Sequence, residues 1–217
     1  NTRTYCVESV SQRFLDRVDL AGLVRGLEQF NGSTVALRER DRRSLYHTFY
    51  IPKKKGGLRR IDAPIPELMD ALRRLKTIFE TEFHALYHTA AFAYVENRCT
   101  IDAVKRHQEN HSRWFAKLDL HNFFGSTTLE FVMSMFSQIF PFSELVKYPA
   151  AERALRKTLD LAFLDRVLPQ GTPLSPLITN VMMIPIDFKL YNSLRDFEKQ
   201  SYVYTRYADD FIISSKY

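Results

Sequence analysis

Two adjacent aspartates, Asp209 and Asp210, stand between apolar runs in the stretch TRYADDFIIS, Thr205 to Ser214. A third, Asp119, closes the run WFAKLD. Ionised carboxylates in close contact raise one another's pKa, so a hairpin gains no stability from carrying two side by side. A divalent cation removes that penalty. Mg²⁺ takes one or two carboxylates together with phosphate oxygens of a substrate. Two such ions about 4 Å apart can clamp the attacking and leaving oxygens of a phosphoryl transfer. The plain structural alternative is an Asp-Asp turn, because aspartate favours turns. Metal chemistry requires the strand that ends at Asp119 to lie beside the Asp209–Asp210 hairpin.

The remaining charge pattern suits a polyanion. The net charge is +6, and it is concentrated. Lys53, Lys54, Lys55, Arg59 and Arg60 cluster, preceded by Arg38, Arg40, Arg42 and Arg43. A solvated basic face is the alternative. The histidines offer a competing chemistry: His84 and His88 are four apart, as are His107 and His111. Neither HALYH nor HQENH carries the glutamate of a zinc-protease helix in the right place, so a zinc site is disfavoured. Cys6 and Cys99 lie outside any Cys-x-x-Cys pattern, which fits a reducing intracellular setting. No apolar signal segment opens the chain and no run of about 18 apolar residues occurs, so no membrane span is expected.

The elements that must position these groups are readable in outline. Helical periodicity runs from Phe14 to Phe30. SLYHTFYIP, KKKGG and LRRIDAP read as strand, turn and strand, with Gly56 and Gly57 allowing the tight turn. Pro64 and Pro66 open a helix from Glu67 to Phe83. Trp114 to Leu120 reads as a strand, with Phe115, Lys117 and Asp119 on one face. Its apolar content suggests burial on both faces, where a carboxylate is out of place. Thr127 and Glu130 suit a capping box for a helix from Thr128 to Phe140, ended by Pro141, and a further helix spans about Ala150 to Phe163. The Pro169-Gln170-Gly171 loop leads into a helix with Pro173 and Pro176 in its first turn and a kink or interruption at Pro185. Tyr202–Arg206 and Phe211–Ser215 are the strands flanking a turn that holds both aspartates. Strands and helices alternate without a βαβ rhythm, which points to α+β.

Taken together, these motifs resemble the reverse transcriptase family. Tyr207-Ala208-Asp209-Asp210 resembles its YxDD box, and Phe115 to Phe124 its first metal-binding motif. Leu168-Pro169-Gln170-Gly171-Thr172-Pro173-Leu174-Ser175-Pro176 resembles its PQG-x-P-x-SP loop, and Tyr50 to Arg59 its basic fingers hairpin. RRIDAPIPEL and the segment Phe92 to Thr100 are similar to sequences of retron and group II intron enzymes, although Ala93 and Cys99 replace a small residue and a serine common there.

The resemblance implies an RNA-directed DNA polymerase with a right-hand α+β fold: an antiparallel palm sheet packed on helices, and helical fingers with a β-hairpin. It implies fingers over 1–85, palm over 86–125, a helical fingers/palm segment over 126–160 and palm over 161–217, with the thumb absent after Tyr217 and weak processive synthesis as the consequence. It implies that Asp119, Asp209, Asp210 and the backbone carbonyl of Leu120 hold two Mg²⁺ ions, with Mn²⁺ as a substitute. Lys53 and Arg59 would grip the triphosphate of a dNTP, Phe124 would exclude a 2′-hydroxyl, and Gln170 and Gly171 would flank the nascent base pair. Lys54, Lys55, Arg60, Arg98 and Tyr207, with Arg206 as a weaker candidate, would touch an RNA template or a DNA or RNA primer. For Arg98 and Arg206 an ordinary surface ion pair is the alternative. A bacterial cytoplasmic location follows from the same resemblance. Two other functions use the same frame: a non-catalytic RNA-binding scaffold, which needs no metal ligands, and a template-independent nucleotidyl transferase.

Overall fold

The computed structural model describes residues 19–53, 56–81, 87–195 and 201–217. The first helix, α1 (Leu20–Ser33), is capped by Asp19, whose carboxylate accepts from the Gly22 amide at 2.8 Å, and it buries Leu23, Leu27 and Phe30 at helical spacing. The short α2 (Val35–Glu39) and a 3₁₀ turn (Arg42–Leu45) lead into β1 (Tyr46–Pro52), which pairs antiparallel with β2 (Leu58–Pro64). These are the strands read from the sequence. Gly56 and Gly57 both have positive φ, and the Lys53 amide donates to the Gly57 carbonyl at 3.0 Å to close the hairpin. Next, α3 (Pro66–Thr81) buries Leu68, Ala71, Leu72, Leu75 and Phe79 along one side.

Then come α4 (Thr100–Glu109), β3 (Trp114–Asp119), α5 (Phe123–Ser126), α6 (Leu129–Phe136), α7 (Phe142–Leu145) and α8 (Pro149–Asp160). The chain closes with α9 (Ser175–Met182), α10 (Ile184–Arg195), β4 (Val203–Tyr207) and β5 (Asp210–Ser215). The second sheet is antiparallel in the order β3-β5-β4. One continuous apolar cluster joins α1, α3, α6 to α9 and the sheet, and Leu27, Leu72, Val132, Leu155, Leu159 and Leu174 are fully enclosed in it. Each such leucine contributes about 1.5–3 kcal/mol by leaving water. No described helix is long and apolar enough to cross a membrane.

Four local expectations are corrected. The cap of α6 is Thr128, which accepts from the Phe131 amide at 3.2 Å; Thr127 instead donates its hydroxyl to the Phe123 carbonyl at 2.7 Å, and Glu130 meets Arg156. Thr127 is consumed by closing α5, so the boundary moves on by one residue. The helix then stops at Phe136 rather than reaching Pro141. Pro173 stays outside α9, with Pro176 alone in its first turn; of the two outcomes expected at Pro185 the helix takes the interruption, α9 ending at Met182 and α10 beginning at Ile184. Lacking an N–H, Pro185 cannot donate to the Val181 carbonyl. Finally, β3 is exposed along its whole length, with Trp114 at 69% and Phe115 at 61%. Among the described residues it is an edge strand with β5 as its one neighbour, and Lys117 and Asp119 on it are exposed.

Candidate active site

Register brings the carboxylates together. In the β3–β5 ladder Asp119 stands directly opposite Asp210, and the Leu120 amide donates to the Asp209 carbonyl at 3.1 Å just beyond the strand end. Directly opposed residues point to the same face of a sheet. Tyr207 pairs with Asp210 on the other side, leaving Ala208 and Asp209 as the two-residue turn between β4 and β5. The turn therefore contains Asp209 but not Asp210, which opens β5. Ala208 has φ 57°, a conformation that costs a non-glycine residue about 1–3 kcal/mol and persists only when its surroundings impose it.

The surroundings are a buried ion pair. Arg206 is fully enclosed and grips Asp187 with Nε and Nη2 at 2.9 and 2.8 Å, while Nη1 donates to the Ala208 carbonyl at 3.2 Å and to Asn180 Oδ1 at 3.1 Å. The Tyr204 hydroxyl donates to Asp187 at 2.6 Å. Arg206 is thus neither a template contact nor a surface ion pair: it is an internal brace for the turn. A buried pair of this kind is strongly destabilising to break, by about 3–5 kcal/mol. Among the described residues Arg98 makes no ion pair either. Its guanidinium donates to the Thr89 and Ala91 carbonyls at 3.2 and 2.8 Å, tying down the loop before α4.

The acids feel one another. The Asp209 carboxyl is held above the ordinary carboxylate range, first by loss of solvent and further by the charges of Asp119 and Asp210; a backbone hydrogen bond and Arg59 pull it back. Arg59 belongs to the basic hairpin, so that hairpin adds positive charge to the field at Asp209. Lys117 supplies the nearest cation: its Nζ lies 2.8 Å from Asp210 Oδ1, which raises the lysine's own pKa. Among the described residues no three His, Cys, Asp or Glu side chains are already arranged as a metal cage. Lys117 lies against Asp210 and balances part of its charge. The donor set itself, three carboxylates at one sheet end with one of them destabilised as an anion, fits a divalent ion.

The other sequence-selected residues sit on several elements. Phe124 is half-buried and meets Phe123 edge-on, with ring centroids 5.7 Å apart; Phe123 takes the core position and leaves Phe124 at the surface of the cluster. Gly171 has φ 113°, and a Cβ there would lie 2.8 Å from Ile61 Cγ2 and 3.1 Å from the Asp62 carbonyl. The Gln170 carbonyl accepts from the Asp62 amide at 2.7 Å. The PQG loop is therefore pinned to β2. Arg60 bonds Asp62 at 2.9 Å and reaches Asp165 at 3.6 Å. Lys53, Arg59 and Tyr207 are exposed. Lys54, Lys55 and His84 lie outside the described residues. His88 and His107 are buried in separate places, and His107 bridges Ser214 and Thr205.

Two residues of the site were not singled out from the sequence. Lys117 could have been found from strand alternation, since it shares a face with Asp119. Tyr94 could not, because long-range contacts place it: its phenol is raised by loss of solvent and then by Asp209 and Tyr207.

Residues 51–217 match the family described as reverse transcriptase (RNA-dependent DNA polymerase). The chain is 34% identical over 169 residues to the retron Ec73 reverse transcriptase of Escherichia coli, covering 76% of this chain and 52% of the relative. It is 32% identical over 187 residues to the retron Mx162 reverse transcriptase of Myxococcus xanthus, covering 82% and 37%. The chain thus spans about half or less of the length of these curated relatives. Telomerase from Candida albicans, solved with a fragment of telomeric RNA, superimposes with TM-score 0.53 at 12% identity over 78% of this chain and 38% of that one. Apo telomerase from Candida tropicalis gives 0.51 at 11% identity over 79% and 44%. At such identity the likeness establishes the fold alone.

Proposed function

Because this chain belongs to the reverse transcriptase family, and to its retron-like relatives by sequence, we propose that it catalyses RNA-directed addition of deoxynucleotides to a primer 3′-hydroxyl inside a bacterial cell. The observation that carries this reading is the cross-strand opposition of Asp119 and Asp210 beside Asp209, whose carboxyl also feels the charge of Arg59 from the basic hairpin. The retron relatives and the RNA-bound telomerase neighbour support RNA as the template.

Divalent metal ions are general in the family. Asp119 and Asp209, supported by Asp210 and the Leu120 carbonyl, would hold two Mg²⁺ ions; when bound, these neutralise triphosphate charge and lower the pKa of the primer 3′-hydroxyl. The rest is done by positioning and charge. Arg59 offers a planar fork of donors to phosphate and Lys53 a point charge, both on a hairpin that faces the carboxylates. Phe124 presents a ring where a 2′-hydroxyl would stand. Gln170 and Gly171 bring backbone close to the nascent base pair, and Tyr207 and Arg98 flank the primer and template path. In this proposal residues 1–85 form the fingers, 86–125 and 161–217 the palm, and 126–160 the helical segment between them.

The test is primer extension on an RNA template with deoxynucleotides. Template-matched products that vanish in Asp209→Asn support the reading. Products that form equally without template indicate a template-independent transferase. RNA binding without any product indicates a scaffold. Either of the last two outcomes overturns the proposal.

A further inference from the structure

A strap before α4 forms a wall of the site. The Phe92 amide donates to the Arg206 carbonyl at 2.9 Å and the Arg206 amide to the Ala90 carbonyl at 2.7 Å, so the strap runs alongside β4 at the residue that braces the YADD turn. Within it Phe92, Ala93 and Val95 are buried, but Tyr94 is 57% exposed at φ 58°. A bulky aromatic with positive φ is an outlier that the surrounding structure must enforce. Turning the backbone over at Tyr94 puts the ring out of the core, where its phenol feels the charges of Asp209, Tyr207 and Arg59.

The enforcing contact comes from Asn180 on α9, itself 1% exposed. Its Nδ2 donates to the Ala93 carbonyl at 2.8 Å, and its Oδ1 accepts from Arg206 Nη1. Arginine has donors only, so the amide can face it only with oxygen; the nitrogen is left for Ala93. One side chain thus ties the peptide before Tyr94 to the guanidinium that holds the Ala208 carbonyl. Tyr94 and Ala208, both with positive φ, hang from the same amide.

We propose that Tyr94 is a substrate-contacting residue of this site and that Asn180 is the positioning residue that holds it there, at fixed distance from the turn carrying Asp209. This rests on the polymerase reading. The exposed ring offers a flat apolar face to the base or sugar at the primer terminus, the kind of stacking surface nucleic-acid proteins use.

The variants are Tyr94→Ala and Asn180→Asp, alone and combined. Asn180→Asp keeps an acceptor for Arg206 and replaces the donor to Ala93 with an acceptor. Asn180→Ser, which shortens the side chain without adding charge, serves if the aspartate does not fold. Each single variant is expected to slow single-turnover nucleotide addition about tenfold or more, with primer–template affinity nearly unchanged. The double variant is expected to be no slower than the slower single one, because Asn180 acts through Tyr94. Losses that multiply would overturn the proposal. A second readout needs no activity: with Trp114→Phe and Tyr94→Trp as the only tryptophan, acrylamide quenching should rise on Asn180→Asp, and unchanged quenching would overturn the Asn180 link. A wild-type protein that adds no nucleotide overturns the polymerase reading and the role of Tyr94 with it; quenching then decides the Asn180 link alone.

Discussion

Lys117 Nζ lies 2.8 Å from Asp210 Oδ1, on the face of the sheet that also carries Asp119. The lysine is a built-in counter-ion, two residues before Asp119 on the same strand, and a metal ion must compete with it. Lys117→Met is therefore expected to lower the Mg²⁺ or Mn²⁺ concentration that gives half-maximal extension by about two- to fivefold, the range an exposed ion pair spans. A metal titration of initial rates reads it. An unchanged or raised midpoint would show that the ammonium does not compete for Asp210.

Gly171 is required by geometry on two counts, its φ of 113° and the closeness of Ile61 and Asp62. Gly171→Ala is expected to destabilise by about 1–3 kcal/mol through backbone strain and displacement. Because the Gln170 carbonyl bonds the Asp62 amide, the same change should loosen the basic hairpin and raise the KM for nucleotide. Chemical denaturation and steady-state kinetics measure the two effects.

Phe124 is anchored edge-on to the core residue Phe123 but keeps part of its ring accessible. Phe124→Ala should leave deoxynucleotide addition measurable and raise ribonucleotide incorporation. Parallel extension with each nucleotide class checks this. Unchanged discrimination would return Phe124 to a purely structural role.

His88 and His107 give the fold a pH dependence. Both imidazoles are pushed below the ordinary 6.5, chiefly by burial; for His88 the arginines Arg206, Arg106 and Arg98 add to it while Asp187 opposes it, and for His107 Arg106 adds to it. A depressed folded pKa means the neutral form is favoured in the fold. The unfolded chain then binds more protons, so this stability is present above pH 6.5 and is lost as pH falls through it toward the folded values. Tm should fall on acidification below pH 6.5, and His88→Asn or His107→Gln should each flatten the slope. Thermal melts across that interval are the measurement.

The hairpin of β1 and β2 was legible because Gly56 and Gly57 punctuate two β-prone runs. The α+β character was legible from the irregular alternation of strands and helices. The convergence of Asp119 with Asp209 and Asp210 was stated only as a condition, because sequence cannot say which strands are neighbours; the β3–β5 register supplies it. What stayed hidden depends on distant partners. Arg206 reads as a surface cation until Asp187, Asn180 and Tyr204 enclose it. Tyr94 reads as one aromatic among many until Asn180 fixes its backbone. The exposure of β3 was hidden too, since WFAKLD is as apolar as a central strand and only its place at the sheet edge leaves it in solvent.

Counting bound Mn²⁺ by EPR, with a deoxynucleoside triphosphate and primer–template present, addresses the shared metal site directly. Wild-type protein should hold Mn²⁺ beyond what the nucleotide and nucleic acid hold alone, and Asp209→Asn should lose that excess while keeping its circular dichroism spectrum. Equal Mn²⁺ binding by a folded Asp209→Asn protein would contradict the account.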